Sequence, residues 1–167
     1  MERLAIELLL ATAARGGDVV KLGPQHIHEG AITFEQSKTK GSKKSTVIVP
    51  VHSDFCAALK AMPPGKVVRL TTDTTFLRTS FGQPFTPAGF TNWFRRCCNE
   101  AGISKGLSAH GLRKATARRL AEMGCTTHQI AAVTGHASLS EVERYTEAAN
   151  RKRLAEEAMT KLTADKQ

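Results

Sequence analysis

The 167 residues contain one tyrosine, Tyr145, and it stands nine residues after His136. Upstream, His110 and Arg113 are three apart in "HGLRKATARRL", so a helix there projects both from one face. Arg15 falls at a turn signal made with Gly16 and Gly17, and Lys38 stands in "EQSKTKGSKK". A phenol, two imidazoles, two guanidiniums and an ammonium suit attack on a phosphodiester without a metal. That reaction needs a nucleophile, cations against the non-bridging oxygens, and a proton for the leaving oxygen. Planar guanidinium forks match phosphate geometry. An imidazole can take the phenol's proton, and an ammonium can give one to a leaving 5′ oxygen. Attack by tyrosine leaves a covalent phosphate ester that stores the bond energy, so a strand can be resealed without ATP.

Taken singly, each residue has a plainer reading. A lone tyrosine is usually a half-buried core residue, and H-x-x-R on a helix is usually a surface pair. Arg15 reads equally as a cation at a helix end, and Lys38 as a solvated gatekeeper on a strand edge. Order and spacing are what favour the chemistry.

The elements that must position these residues are mostly helical. "ERLAIELLLATA" (2–13) predicts a helix with Leu4, Leu8 and Ala11 on one face. Gly16 and Gly17 then loosen the chain, and "DVVKL" predicts a short helix closed by Gly23 and Pro24. "AITFEQSKT" and "KSTVIVPV" are β-branched, which predicts a hairpin with a lysine-rich tip at Gly41-Ser42. Helices are expected over 53–62 and from Pro87 to Glu100. Three more follow in "SAHGLRKATARRLAEMG", "TTHQIAAVTG" and "LSEVERYTEAANRKRLAEEAMTKL", jointed at Gly124 and Gly135. Ser140 and Glu143 have capping-box spacing. The fold class is therefore mainly α with a small antiparallel β-sheet (α+β).

The net charge of +9 points to a polyanionic partner. Residues 37–49 carry Lys38, Lys40, Lys43 and Lys44 and no acid, and "HGLRKATARRL" carries Arg113, Lys114, Arg118 and Arg119. Two basic clusters on structured segments favour a tracked backbone of nucleic-acid phosphates over a diffuse solubility charge. Of these, Lys40, Lys43, Lys44 and Lys114 are candidate DNA contacts outside the chemistry. Cys97 and Cys98 are adjacent and Cys56 and Cys125 stand alone, while His26 and His28 have no ligand pattern, so neither metal nor cofactor is expected. No apolar run reaches membrane-spanning length and no signal peptide opens the chain, which predicts a cytoplasmic protein without membrane contact.

The motifs "TAARGGDVVKL", "EQSKT", "HGLRKATARRL", "TGH" and "ERY", in that order, resemble the catalytic domain of the tyrosine recombinases. This is the phage-integrase family of DNA breaking and rejoining enzymes. The 23 residues from Arg113 to His136 and the nine from His136 to Tyr145 also match the family. The resemblance implies that Arg15 and Arg113 clamp the scissile phosphate and that Lys38 is the general acid. It further implies that His110 is a base or proton shuttle, His136 a hydrogen-bond donor to the phosphate, and Tyr145 the nucleophile. Asp18, at the R-x-x-D position, would buttress Arg15. Lys40 is a rival for Lys38. Ala13 replaces the glycine usual two residues before the first arginine, a difference expected to reshape that turn.

The resemblance also implies a single catalytic domain over 1–167 in which the family's amino-terminal helical domain is absent. The chain would then be a fragment or a naturally short relative, in a bacterium or a phage-infected host, associated with the nucleoid. Ala155, Ala158, Met159 and Leu162 form an apolar stripe. The terminal helix, about 151–163, is expected to dock on a neighbouring protomer in a tetramer on DNA, or else on its own core. The rival from another class is a non-catalytic helix-turn-helix regulator, read from "TTHQIAAVTGHASLSEVERYTEA". A metal-independent RNase using two histidines and a lysine is a third reading.

Overall fold

The computed structural model describes residues 1–37, 45–62, 74–104 and 106–164. Helix α1 (Glu2–Thr12) buries Leu4, Ala5, Leu8 and Leu9, two i, i+4 pairs that make one apolar face. That face lies against helices α3 (Ser53–Lys60) and α5 (Ala109–Glu122). Helix α1 ends where Ala13 turns left-handed, at φ 48° and ψ 21°. An L-residue there costs about 1–2 kcal/mol that glycine avoids. Ala13 therefore holds strain at this turn that a glycine would not.

Helix α2 (Gly16–Val19) is a single turn capped by Arg15, whose carbonyl accepts the N–H groups of Asp18 and Val19 at 2.9 Å each. The short helix expected over "DVVKL" thus begins at Gly16 and stops before Val20. The two glycines start it rather than separate it from α1.

A 3-10 turn (Pro24–His26) leads into the sheet. Strands β1 (Ile27–His28), β2 (Ala31–Glu35) and β3 (Thr46–Pro50) are antiparallel in the order β1-β2-β3. The β2–β3 register pairs Ile32 with Val49 and Phe34 with Val47, so all four point into the core. The expected hairpin is present, and the short β1 extends it. Its tip lysines Lys38, Lys40, Lys43 and Lys44 lie outside the described residues.

Helix α4 (Pro87–Glu100) starts at Thr86, whose hydroxyl accepts the Gly89 N–H at 3.0 Å, with Pro87 in the first turn. Phe90 and Phe94 of α4 enter the main core with β2, β3 and α1. A second, smaller core joins α5, α6 (Thr127–Thr134) and α7 (Leu139–Ala164) through Ala117, Ala121, Ile130 and Val142. Helix α6 opens with a capping box between Thr126 and Gln129. The box expected at Ser140 and Glu143 does not form. Because α7 begins at Leu139, Ser140 is already inside it, and its hydroxyl lies 2.7 Å from that of Ser138. No helix among the described residues is long and apolar enough to cross a membrane.

Candidate active site

Helix α5 spans both cores, with Leu112 packed on the main one and Ala117 in the smaller one, and Arg113 lies between them. It sits in the first turns of α5, one turn before Ala117, so the stripe that builds the small core also carries a guanidinium inward. Arg113 is 2% exposed. Its Nη1 donates to the carbonyl of Ala13 at 2.8 Å, tying α5 to the left-handed turn before Arg15. Its Nη2 is buried and has no acceptor among the described residues. Burial, then the positive charge of Arg15, pull the Arg113 pKa down to about 10. A buried cation with a free donor between other cations favours an anion.

Arg15 is half-buried and reaches towards the hairpin, donating through Nη1 to Ser37 O at 2.9 Å and to Gln36 Oε1 at 3.4 Å. Buried Asp18 holds the same segment. Its carboxylate accepts the Ser37 N–H at 3.1 and 3.2 Å, and it also accepts the Ser37 hydroxyl. Asp18 therefore steadies Arg15 through Ser37, the last described residue before Lys38. The Gln36 N–H donates to Ser45 O at 2.9 Å, closing the hairpin arms on either side of the tip.

Opposite lies the joint between α6 and α7. Gly135 ends α6 at φ 66°, and a Cβ there would come within 2.6 Å of Val47 and 2.7 Å of Gln36. Only glycine allows the joint to sit this close to the hairpin. Gln36, itself buried, donates through Nε2 to Thr134 O at 2.7 Å, and Ser45 Oγ donates to Gly135 O at 3.3 Å. The His136 side chain is 7% exposed, with Nε2 3.9 Å from Glu141 Oε2. Its Nδ1 lies 2.6 Å from the hydroxyl of Thr134. Burial, then the charge of Arg113, push the His136 pKa down to about 4.

The rings of His136 and Tyr145 are 6.0 Å apart between centroids, tilted by 40°. Tyr145 is half-buried and packs at the rim of the small core, beside Leu120, Cys125 and Ala149. His110 is exposed near the start of α5, its pKa lowered first by partial burial and then by Lys114, Arg113 and Arg15. Lys114 is exposed beside it.

Five of the six residues expected to do chemistry, Arg15, His110, Arg113, His136 and Tyr145, thus share one electrostatic neighbourhood; Lys38 lies outside the described residues. Among the described residues no cluster of three or more His, Cys, Asp or Glu side chains is arranged to hold a metal ion. Sequence reasoning did not single out Gln36 or Thr134. Both lay inside quoted motifs, "EQSKT" and "TGH", but only their burial and bonding reveal their part.

The family model described as "Phage integrase family" matches residues 1–152, and the chain belongs to that family. The tyrosine recombinase XerD of Listeria monocytogenes serotype 4b (strain F2365) is 30% identical over 152 residues, covering 87% of this chain and 49% of that protein. The tyrosine recombinase XerD of Oceanobacillus iheyensis is 28% identical over 145 residues, covering 84% of this chain and 48% of that protein. The chain spans about half the length of the curated relatives it matches. Among solved structures, the XerA recombinase superposes with a TM-score of 0.69 at 23% identity, over 93% of this chain and 57% of that one. The Tn1549 transposon integrase in complex with transposon right end DNA gives a TM-score of 0.69 at 16% identity, over 91% and 58%. A lambda integrase dimer bound to a COC' core site gives 0.64 at 23%, over 87% and 51%. The mainly helical fold with its small sheet is the one these proteins share.

Proposed function

We propose that this chain is the catalytic domain of a site-specific DNA recombinase that breaks and rejoins double-stranded DNA through a 3′-phosphotyrosine. The observation that carries the reading is Arg113: a buried guanidinium whose Nη2 lacks an acceptor among the described residues, in the electrostatic company of Arg15, two histidines and Tyr145. A scissile phosphate satisfies that donor and neutralises the cations around it. The helix-turn-helix reading leaves this buried charge without a purpose, and the RNase reading leaves Tyr145 without one.

In the reaction the Tyr145 phenolate oxygen attacks phosphorus, and the bond from phosphorus to the 5′ oxygen breaks. The phenol's proton passes to His110, and the Lys38 ammonium protonates the departing 5′ oxygen, which leaves as a hydroxyl. Arg15 and Arg113 hold the non-bridging oxygens as charge builds on them, and His136 donates a hydrogen bond to the phosphate. Attack by a 5′ hydroxyl on the phosphotyrosine reverses every step and reseals a strand. Neither a metal nor ATP takes part. Lys40, Lys43, Lys44 and Lys114 track the flanking backbone.

The test uses suicide duplexes, nicked near a randomised cleavage position so that the short fragment with the freed 5′ hydroxyl escapes and the protein stays attached. The parent should accumulate a 3′-phosphotyrosyl adduct. Tyr145→Phe keeps the ring packed and removes one oxygen, so it should bind the same duplexes and form no adduct. An adduct with Tyr145→Phe, or none with the parent on any member of the pool, would refute the reading.

A further inference from the structure

The hydroxyl of Thr134 makes two short contacts, and it has one proton for them. Thr134 is fully buried, with Oγ1 2.7 Å from the carbonyl oxygen of Ile130 and 2.6 Å from Nδ1 of His136. A carbonyl oxygen can only accept, so the Thr134 proton must point at Ile130; otherwise two oxygens would face each other at 2.7 Å with nothing between them. The remaining contact is satisfied only if Nδ1 of His136 carries a hydrogen and Thr134 accepts it. A neutral imidazole has one N–H, so Nε2 is then a bare lone pair.

We propose that Thr134 is a positioning residue that locks His136 in its Nδ1–H tautomer, so that His136 donates to a phosphate oxygen only after Nε2 takes up a proton from solvent. The inference rests on the functional reading above and changes one part of it: the donor is an imidazolium made on demand. Two further contacts fix Thr134 itself. Gln36 holds its carbonyl from the hairpin at 2.7 Å, and Gly135 lets the joint approach the sheet.

The charges facing the ring oppose an early proton. Arg15 comes from the start of α2, and Arg113 and His110 from α5. From α7, Glu141 is the acid that favours the proton, and Tyr145 lies against the ring. Burial and Arg113 outweigh Glu141, holding the free ring neutral with a pKa of about 4. An anion between Arg15 and Arg113 cancels the cationic part of that opposition, so the Nε2 proton arrives with the phosphate.

The ¹⁵N shifts of the imidazole nitrogens report the tautomer directly. The chain has six histidines, and His136→Gln identifies the signal of interest. At pH 7 the parent should show a protonated Nδ1 and a bare Nε2; a protonated Nε2 with a bare Nδ1 would overturn the proposal, whatever any variant does. Thr134→Val is nearly isosteric and removes the acceptor, so it should shift the ring toward the Nε2–H form, while Thr134→Ser should restore the parent pattern. A valine variant with the parent's tautomer would deny Thr134 its role. Sulfate, a phosphate mimic that does not titrate near neutrality, should raise the His136 titration midpoint by at least one pH unit. An unmoved midpoint would overturn proton uptake. The tautomer is read on the free protein, so a failure here leaves the Tyr145 adduct standing, and absence of that adduct leaves the tautomer unaffected.

Discussion

Arg113 brings a full charge into the interior, and among the described residues it is secured by one bond, from Nη1 to Ala13 O. Leaving a buried charged donor unpaired costs on the order of 1–3 kcal/mol or more, which a bound phosphate returns. Burial first, and then neighbouring cations that include Arg113, lower the pKa of both His110 and His136. Lys38 is the member whose role rests on sequence alone, at the end of "EQSKT". If it protonates the leaving oxygen, Lys38→Ala should slow cleavage about 10²–10⁴-fold, the usual range for a general acid. A substrate with sulfur at the leaving 5′ position needs no such proton and should recover the rate. Recovery in Lys40→Ala instead of Lys38→Ala would shift the assignment by two residues.

Among the elements, the turn between α1 and α2 is where local preference and function disagree. Ala13 is buried and left-handed, and its carbonyl is the anchor of Arg113. Ala13→Gly relieves about 1–2 kcal/mol of strain. It loses about 0.8 kcal/mol of methyl burial and about 0.5–1 kcal/mol to the freer unfolded chain. These terms nearly cancel, so thermal or urea unfolding should place Ala13→Gly within about 0.5 kcal/mol of the parent. Ala5→Gly, equally buried but inside α1, has no strain to relieve and should cost about 1.3–1.8 kcal/mol. Equal losses at the two positions would mean that Ala13 bears no strain.

At the scale of the molecule, α7 does two jobs along its length. Its first half packs Val142 and Thr146 against α5 and α6 and brings Tyr145 to the site. Its last three turns leave Leu154, Met159 and Leu162 exposed, so among the described residues the apolar stripe is not docked on its own core. Arg151 pairs with Glu147 and Arg153 with Glu157, each worth a few tenths of a kcal/mol to an unsupported helix. That arrangement favours docking on a neighbouring protomer. Deleting residues 154–167 should weaken assembly of several copies on DNA, measured by native gel or light scattering, and leave single-site adduct formation intact. Assembly unchanged by the deletion would remove the idea.

Sequence alone determined the helices, the hairpin and the ordered set of candidate residues, because each depends on short-range periodicity or on residue type at a fixed spacing. Leu4 and Leu8 on one face of α1, the β-branched runs of β2 and β3, and the nine residues from His136 to Tyr145 were all readable in this way. It missed where α2 starts and how α7 is capped, since a shift of one or two residues changes little in local preference. Only the tertiary structure decided that Arg113 is buried with a donor free among the described residues, that Asp18 reaches Arg15 through Ser37, and that Gln36 ties the hairpin to the joint before His136. Those contacts join residues as much as 100 positions apart, such as Arg113 and Ala13. Their cause is the shape of two cores meeting, and no window of sequence contains it.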